Sequence, residues 1–334
     1  MTRLVLETIA KSLNILIVDS AQLINRFFTK GFKMTRLFKI GGVTFSTAPI
    51  MVGAGACKTP AATLNWLQVA PVVSGSYTLE FRIGNEGSRL FYPDDLETFL
   101  NEGKAYNWLG MPNIGIPAMC KAVAEIKPTQ PLIISIAAFT VADYLQAIRL
   151  VAKLKNIVAI ELNFGCRNTE HGAPLSFDLL GLKYLLEHLP DIGIPMWLKF
   201  SPYIEETSFL LPQVVKLLNA YASKIAAVVT CNTKWEFAGQ DKISSPDGFA
   251  SLSGPALKPI ALEQVKRFRD ILVQDIDVIG VGGITTGDDV IDFFNDGAAA
   301  VQLTSLPFWL GDPGKFWEHL LDEETGNKLL EFIS

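Results

Sequence analysis

Apolar positions along the chain follow two periodicities. Within residues 1–35, Leu6, Ile9, Leu13, Ile17, Ile24 and Phe28 recur at helical spacing, and Glu7, Lys11, Asn14, Gln22 and Arg26 mark the opposite stripe. That pattern predicts an amphipathic helix, or two broken near Asp19–Ser20. From residue 36 onward, short runs rich in Val and Ile alternate with helical stretches. The runs at 49–53, 71–75, 131–137, 157–162, 195–200, 225–230, 277–281 and 299–303 predict strands. The stretches at about 59–68, 114–126, 141–154, 176–189, 207–222, 257–273, 286–295 and 313–322 predict helices. Pro259 fits a first helical turn, and Asp288 and Asp289 after Gly287 supply the acidic residues that favour a helix start.

Strands buried on both faces read as continuous apolar runs, as these do. Strict alternation of strand and helix predicts an α/β fold, a (β/α)8 TIM barrel. A doubly wound open sheet is the alternative, but no GxGxxG follows the first strand. The expected organisation is therefore an added N-terminal helical segment, residues 1–35, and a barrel domain, residues 36–334. Two connections are too long for simple βα turns: 76–113 after the second strand and 231–256 after the sixth. Long loops in compact domains tend to be functional, and both fall on the face where barrel active sites lie.

Composition narrows the class. The 334 residues are 49% hydrophobic and 19% charged, which suits one barrel with additions and excludes a disordered chain. A formal charge of −5 without a basic stripe argues against a nucleic-acid partner. Cys57, Cys120, Cys166 and Cys231 show neither a disulfide framework nor metal-ligand spacing, so reduced thiols, no metal and a cytoplasmic location are expected. Glu7, Lys11 and Asp19 interrupt any signal-peptide core, and no run of ~18 apolar residues suits a membrane span. The N-terminal segment is expected to pack on the barrel or on a second subunit. Peripheral contact with the inner face of a membrane is the alternative.

Candidate chemistry gathers at strand ends. Gly280-Val-Gly282-Gly283-Ile-Thr-Thr286-Gly287 and Gln302-Leu-Thr304-Ser305 close the seventh and eighth units, the usual barrel phosphate site. The fourth strand ends Glu161-Leu-Asn163-Phe-Gly-Cys166-Arg167-Asn168, the fifth carries Lys199, and the sixth ends Thr230-Cys231-Asn232-Thr233. Asn107 lies in the first long loop. A buried lysine calls for an anion or an electron-rich cofactor atom. Together these groups suit a planar substrate rich in amides.

These residues resemble the dihydroorotate dehydrogenase family of FMN-dependent barrels over roughly residues 36–325. Asn163–Asn168 is similar to N-x-S-C-P-N, and Asn107–Gly115 to N-x-x-G-x-x-N-x-G. Arg82-Ile-Gly84-Asn85 with Arg89 resembles R-x-G-N-P-x-P-R. Leu252-Ser253-Gly254-Pro-Ala-Leu-Lys258-Pro and Gly280–Gly287 also match. The resemblance implies an FMN phosphate on Gly254, Gly282, Gly283, Thr304 and Ser305. It adds Ala54, Gly55, Asn163 and Ser253 to the cofactor contacts and sets Lys199 against the polar edge of the ring. Asn107, Asn163, Asn168 and Asn232, with Thr233, would hold dihydroorotate or orotate. Lys58, in Ala54-Gly55-Ala-Cys-Lys58, matches the lysine that the membrane-linked branch places near flavin and substrate carboxylate. Cys166 would take the C5 proton while the C6 hydride goes to flavin N5.

The chain departs from the family pattern at several positions. Arg167 replaces a proline and is expected to stabilise the Cys166 thiolate. Ala250-Ser251 replace a Gly-Gly pair, Glu86 and Ser88 replace loop prolines, and Gly75 stands where the soluble branch has a substrate lysine. A cysteine base and a lysine placed as in the membrane branch leave fumarate, a quinone and a partner subunit as acceptors. The resemblance also implies a homodimer. Competing readings are an oxidoreductase for another dihydropyrimidine or cyclic amide, and a non-catalytic flavin-binding subunit.

Overall fold

Each apolar run from residue 49 onward is a strand, and the strands close on one another. The computed structural model describes residues 37–46, 48–165, 174–320 and 328. The amphipathic segment 1–35 and the residues Cys166, Arg167 and Asn168 lie outside the described residues. The barrel strands are β1 (Ile50–Val52), β2 (Val72–Tyr77), β3 (Leu132–Ile136), β4 (Ala159–Asn163), β5 (Met196–Lys199), β6 (Ala227–Thr230), β7 (Asp277–Val281) and β8 (Ala300–Leu303). They pair in sequence order, all parallel, and β8 returns to β1 to close the barrel. The fold is therefore the expected (β/α)8 barrel and not an open sheet.

The helices that follow the strands are α1 (Pro60–Trp66), α2 (Ile116–Ala124), α3 (Val141–Val151), α4 (Leu179–His188), α5 (Leu210–Ala220), α6 (Lys258–Ile271), α7 (Gly287–Asn295) and α8 (Pro313–Leu320). Local chemistry fixes their starts. Thr59 Oγ1 accepts from Ala62 N at 3.1 Å with Pro60 following, and Thr140 Oγ1 accepts from Asp143 N at 3.1 Å. Two predicted helices begin later than expected. Short 3-10 turns at Leu175–Phe177 and Glu205–Thr207 precede α4 and α5, and Asp178 caps α4 through Gly181 N at 2.9 Å. Outward-facing strand residues such as Ile134, Leu198 and Val278 pack with helix residues such as Ile148, Val214 and Phe268 in the main apolar cluster.

The lower end of the barrel is plugged by a hairpin, Phe38–Ile40 with Val43–Phe45. Ile40, Val43 and Phe45 join Met51, Val73, Ile133, Trp197, Val229 and Ile279 in a second apolar cluster inside the barrel. Trp197 Nε1 donates to Gly41 O at 2.8 Å, and Gly41 N donates to Asp277 Oδ2 at 2.7 Å. Apolar side chains fill the lower barrel, so the ligand space lies at the top.

At the top, the two long connections are not independent loops. Leu90–Phe91 and Ala105–Asn107 from the first, and Lys234–Phe237 and Phe249–Ser253 from the second, form one antiparallel four-stranded sheet. Ala250 is fully buried there with Tyr106, Ile243 and Leu252. Ser88 N donates to Ser244 Oγ at 2.7 Å and Ser244 N donates to Ser88 O at 2.9 Å. A proline at position 88 has no N–H to make the first of these bonds.

Candidate active site

One cleft opens at the C-terminal ends of the strands, with about 1210 Å³ of empty space continuous with solvent. Every residue assigned a site role from the sequence lines it, apart from Cys166, Arg167 and Asn168, which lie outside the described residues. Ala54, Gly55 and Lys58 come from the loop after β1, Asn107 from the first long connection, and Asn163 and Lys199 from the ends of β4 and β5. Asn232 and Thr233 follow β6, Ser253 and Gly254 close the rim sheet, and Gly282, Gly283, Thr304 and Ser305 follow β7 and β8. The loop after β1 is held by Gly55 N donating to Gly75 O at 2.8 Å and Gly75 N donating to Cys57 O at 3.0 Å. Gly75 has φ +115°, and a Cβ there would lie 2.6 Å from Ser135 O, so the position accepts no side chain.

A directed hydrogen-bond chain runs under one side of the cleft. Asn163 Nδ2 donates to Ser76 Oγ at 2.9 Å, Ser76 and Ser135 hydroxyls are 2.8 Å apart, and Ser135 Oγ donates to Glu161 Oε1 at 2.9 Å. Ser135 spends its one hydroxyl proton on Glu161, so Ser76 donates to Ser135. Asn163 therefore gives its amine to Ser76 and turns Oδ1 toward Asn232 Nδ2 at 2.8 Å and Gly165 N at 3.1 Å. Asn232 Oδ1 in turn accepts from Thr233 N at 2.7 Å. On the other side, Gln302 Nε2 donates to Glu161 Oε2 at 2.8 Å and Lys199 Nζ donates to Gln302 Oε1 at 3.2 Å.

The glycine-rich turns form a close-walled hollow. Gly254 and Gly282 have φ of +90° and +125°, and a Cβ on either would lie 2.9 Å from Gly103 O or Ala261 Cβ. Gly283 packs directly on the Lys258 backbone. Asp289 Oδ2 accepts from Thr285 N at 2.7 Å and Thr286 N at 2.8 Å, which fixes the turn after Gly283. Burial raises the Asp289 carboxyl, but the Lys258 ammonium and these backbone donors outweigh it and hold the group below the usual carboxylate range.

Several cleft residues carried no site role in the sequence reading: Ser76, Tyr92, Cys231 and Gln302. Tyr92 bonds to the Ser253 and Ser305 side chains, and burial pushes its hydroxyl up to about 12. Cys231 is buried, and desolvation pushes its thiol up to about 12 despite the nearby Lys199. Glu161 and Gln302 were visible as polar residues inside apolar runs, a signal of inward-facing function. Ser76, near the end of β2, and Tyr92, in the first long connection, carry no comparable mark among the polar residues around them.

The motif residues at 82–115 mainly build the rim. Arg82 pairs with Asn113 through backbone bonds of 3.0 Å, and its guanidinium sits 4.9 Å from the Phe139 ring centre. Asn113 Oδ1 accepts from Thr78 N at 3.2 Å and Gly115 N at 2.9 Å. Across the rim sheet, Glu236 accepts from Tyr106 at 2.8 Å and from Lys104 and Lys234 at 3.1 Å each. No helix among the described residues is long and apolar enough to cross a membrane.

The chain is similar to known proteins over most of its length. The family model described as dihydroorotate dehydrogenase matches residues 37–316. A dihydroorotate dehydrogenase A (fumarate) of Limosilactobacillus reuteri is 30% identical over 277 residues, covering 78% of this chain and 83% of that one. The catalytic subunit of a dihydroorotate dehydrogenase B (NAD(+)) of Listeria monocytogenes is 31% identical over 184 residues, covering 53% of this chain and 58% of that one.

Proposed function

The chain belongs to the dihydroorotate dehydrogenase family, and from that premise we propose that it oxidises dihydroorotate to orotate in its upper cleft with FMN as resident cofactor. The observation that carries this reading is the convergence in one cleft of the lysines, the amides and the glycine-walled hollow. The hollow suits a phosphate, because Gly254, Gly282 and Gly283 hold positive-φ turns packed too closely on their neighbours for a side chain, which leaves backbone as the lining that faces the ligand. Thr304 and Ser305 hydroxyls complete that end. Lys199 fits the polar edge of an isoalloxazine, as a buried cation beside an electron-accepting ring. When bound, FMN supplies hydride acceptance at N5.

The protein's own groups divide the remaining work. Lys58 pairs with the substrate carboxylate. Asn107, Asn163, Asn168 and Asn232, with Thr233, hold the ring amides in register. Asn163 is oriented for this by Ser76. Cys166 directly follows Gly165 in the chain and takes the proton from C5. Cys231 is unsuited to that role, because its buried thiol stays protonated near neutral pH.

Fumarate is the acceptor we favour over a quinone or a partner subunit. The similarity spans 83% of the fumarate-linked relative and 58% of the NAD(+)-linked one. A dicarboxylate could use the same lysine and amides once orotate leaves. This reading places the protein in the cytoplasm as a homodimer.

The test is direct. Purified protein reconstituted with FMN should bleach on anaerobic addition of dihydroorotate and regain its yellow colour with fumarate. A yellow protein that dihydroorotate does not bleach would overturn the substrate. Recolouring by a quinone alone, or only in the presence of a second subunit, would replace fumarate.

A further inference from the structure

Glu161 has no exposed surface and lies one layer below the cleft, on β4 inside the barrel. It is held from three directions. Ser135 Oγ donates to one carboxylate oxygen at 2.9 Å, Gln302 Nε2 donates to the other at 2.8 Å, and Lys199 Nζ stands 3.9 Å from Oε1. Gln302 bridges the two charges, accepting from Lys199 at 3.2 Å on its other end. Lys199 and Gln302 line the cleft, whereas Glu161 lies behind them. Burying a carboxylate so deep carries a large desolvation cost, and its placement beside Lys199 offsets that cost.

The cleft floor therefore presents a compensated cation. Lys199 favours negative charge above it, and Glu161 cancels part of that attraction. Screening is weak in a buried site, so both charges act on anything that gains electrons there. Gln302 fixes the ammonium sideways, so its distance from the ligand is set by the same network.

We propose that Glu161 is a positioning residue that holds the Lys199 ammonium through Gln302 and sets, by its own charge, how strongly the site stabilises reduced over oxidised flavin. The proposal rests on the reading that FMN lies against Lys199. It needs no contact between Glu161 and the cofactor.

The experiment measures the two-electron reduction potential of FMN-loaded protein against a reference dye, together with the dissociation constant of oxidised FMN. In E161Q the side-chain shape stays and the opposing charge goes. Binding of reduced relative to oxidised flavin should tighten at least tenfold, which raises the potential by about 30 mV. In the swapped variant E161Q/Q302E the carboxylate moves into the cleft lining and directly onto Lys199, so the potential should fall to or below that of the unmodified protein. A yellow E161Q protein that is less stable but has an unmoved potential would show a purely structural role and overturn the proposal. If E161Q does not retain flavin, the swapped variant carries the test, and a potential raised there by the equivalent of tenfold or more in binding ratio overturns the proposal. Unmodified protein that stays colourless with FMN overturns the cofactor reading as well, and that result is seen before any variant is made.

Discussion

Lys258 Nζ lies 2.5 Å from Asp289 Oδ1, joining the start of α6 to the first turn of α7. Asp292 adds a second contact at 2.6 Å. Because Asp289 also accepts from Thr285 and Thr286, this pair locks the turn that carries Gly282 and Gly283. D289N should destabilise the protein by about 1–3 kcal/mol near neutral pH, as buried donors lose a charged acceptor. It should also weaken FMN retention.

The pH dependence of that loss follows from the sign of the shift. The Asp289 carboxyl is held below its ordinary value, so its contribution is present above that ordinary value, about 4, and fades as pH falls through the lower folded value. Lys258 is raised overall, burial being outweighed by Asp289 and Asp292, so its part fades only as pH rises past the ordinary lysine range. Urea unfolding of unmodified and D289N protein should therefore differ most between those limits and converge in strong acid.

Cys166, the proposed base, and Cys231 should behave differently. C166S should lower kcat by at least about a hundredfold, since general-base help contributes ~10²–10⁴ in rate. C231S should leave the pH–rate profile in place, and Cys231 should resist iodoacetamide at neutral pH because burial holds its thiol up at about 12. In R167A the alkaline-rising limb of the profile should move to higher pH. A profile that does not move would exclude Arg167 from stabilising the Cys166 thiolate.

Lys58→Ala separates dihydroorotate from a substrate without a carboxylate. The Michaelis constant for dihydroorotate should rise about tenfold or more, the equivalent of ~1.4 kcal/mol, with a smaller effect on kcat. An unchanged Michaelis constant would favour a neutral cyclic amide.

Trp197→Phe removes the indole N–H that reaches Gly41 O at 2.8 Å while keeping most of the ring. The hairpin plug should loosen, costing about 1–3 kcal/mol by urea unfolding because a buried carbonyl loses its donor. Reduction of bound FMN by dihydroorotate should persist, since the plug is at the opposite end of the barrel from the cleft.

The order of strands and helices was readable from local periodicity, because each strand is buried on both faces and each helix on one. The glycine turn after β7, the Thr304-Ser305 pair after β8, Lys199 and the asparagine at the end of β4 were legible too, since a barrel puts every strand's C-terminal end on one face. The rim was not. The bond between Ser88 and Ser244 joins residues 156 apart, and the long connections become one sheet only by pairing with each other. The role of Glu161 was equally hidden, because its hydrogen-bond partners Ser135 and Gln302 lie 26 and 141 residues away. Sequence by itself determined the barrel, its order and most of the cleft's chemical inventory, which are properties of local pattern and strand-end position. Tertiary structure alone decided which buried charge faces which, and how each amide is turned, because those depend on contacts between segments that share no local signal.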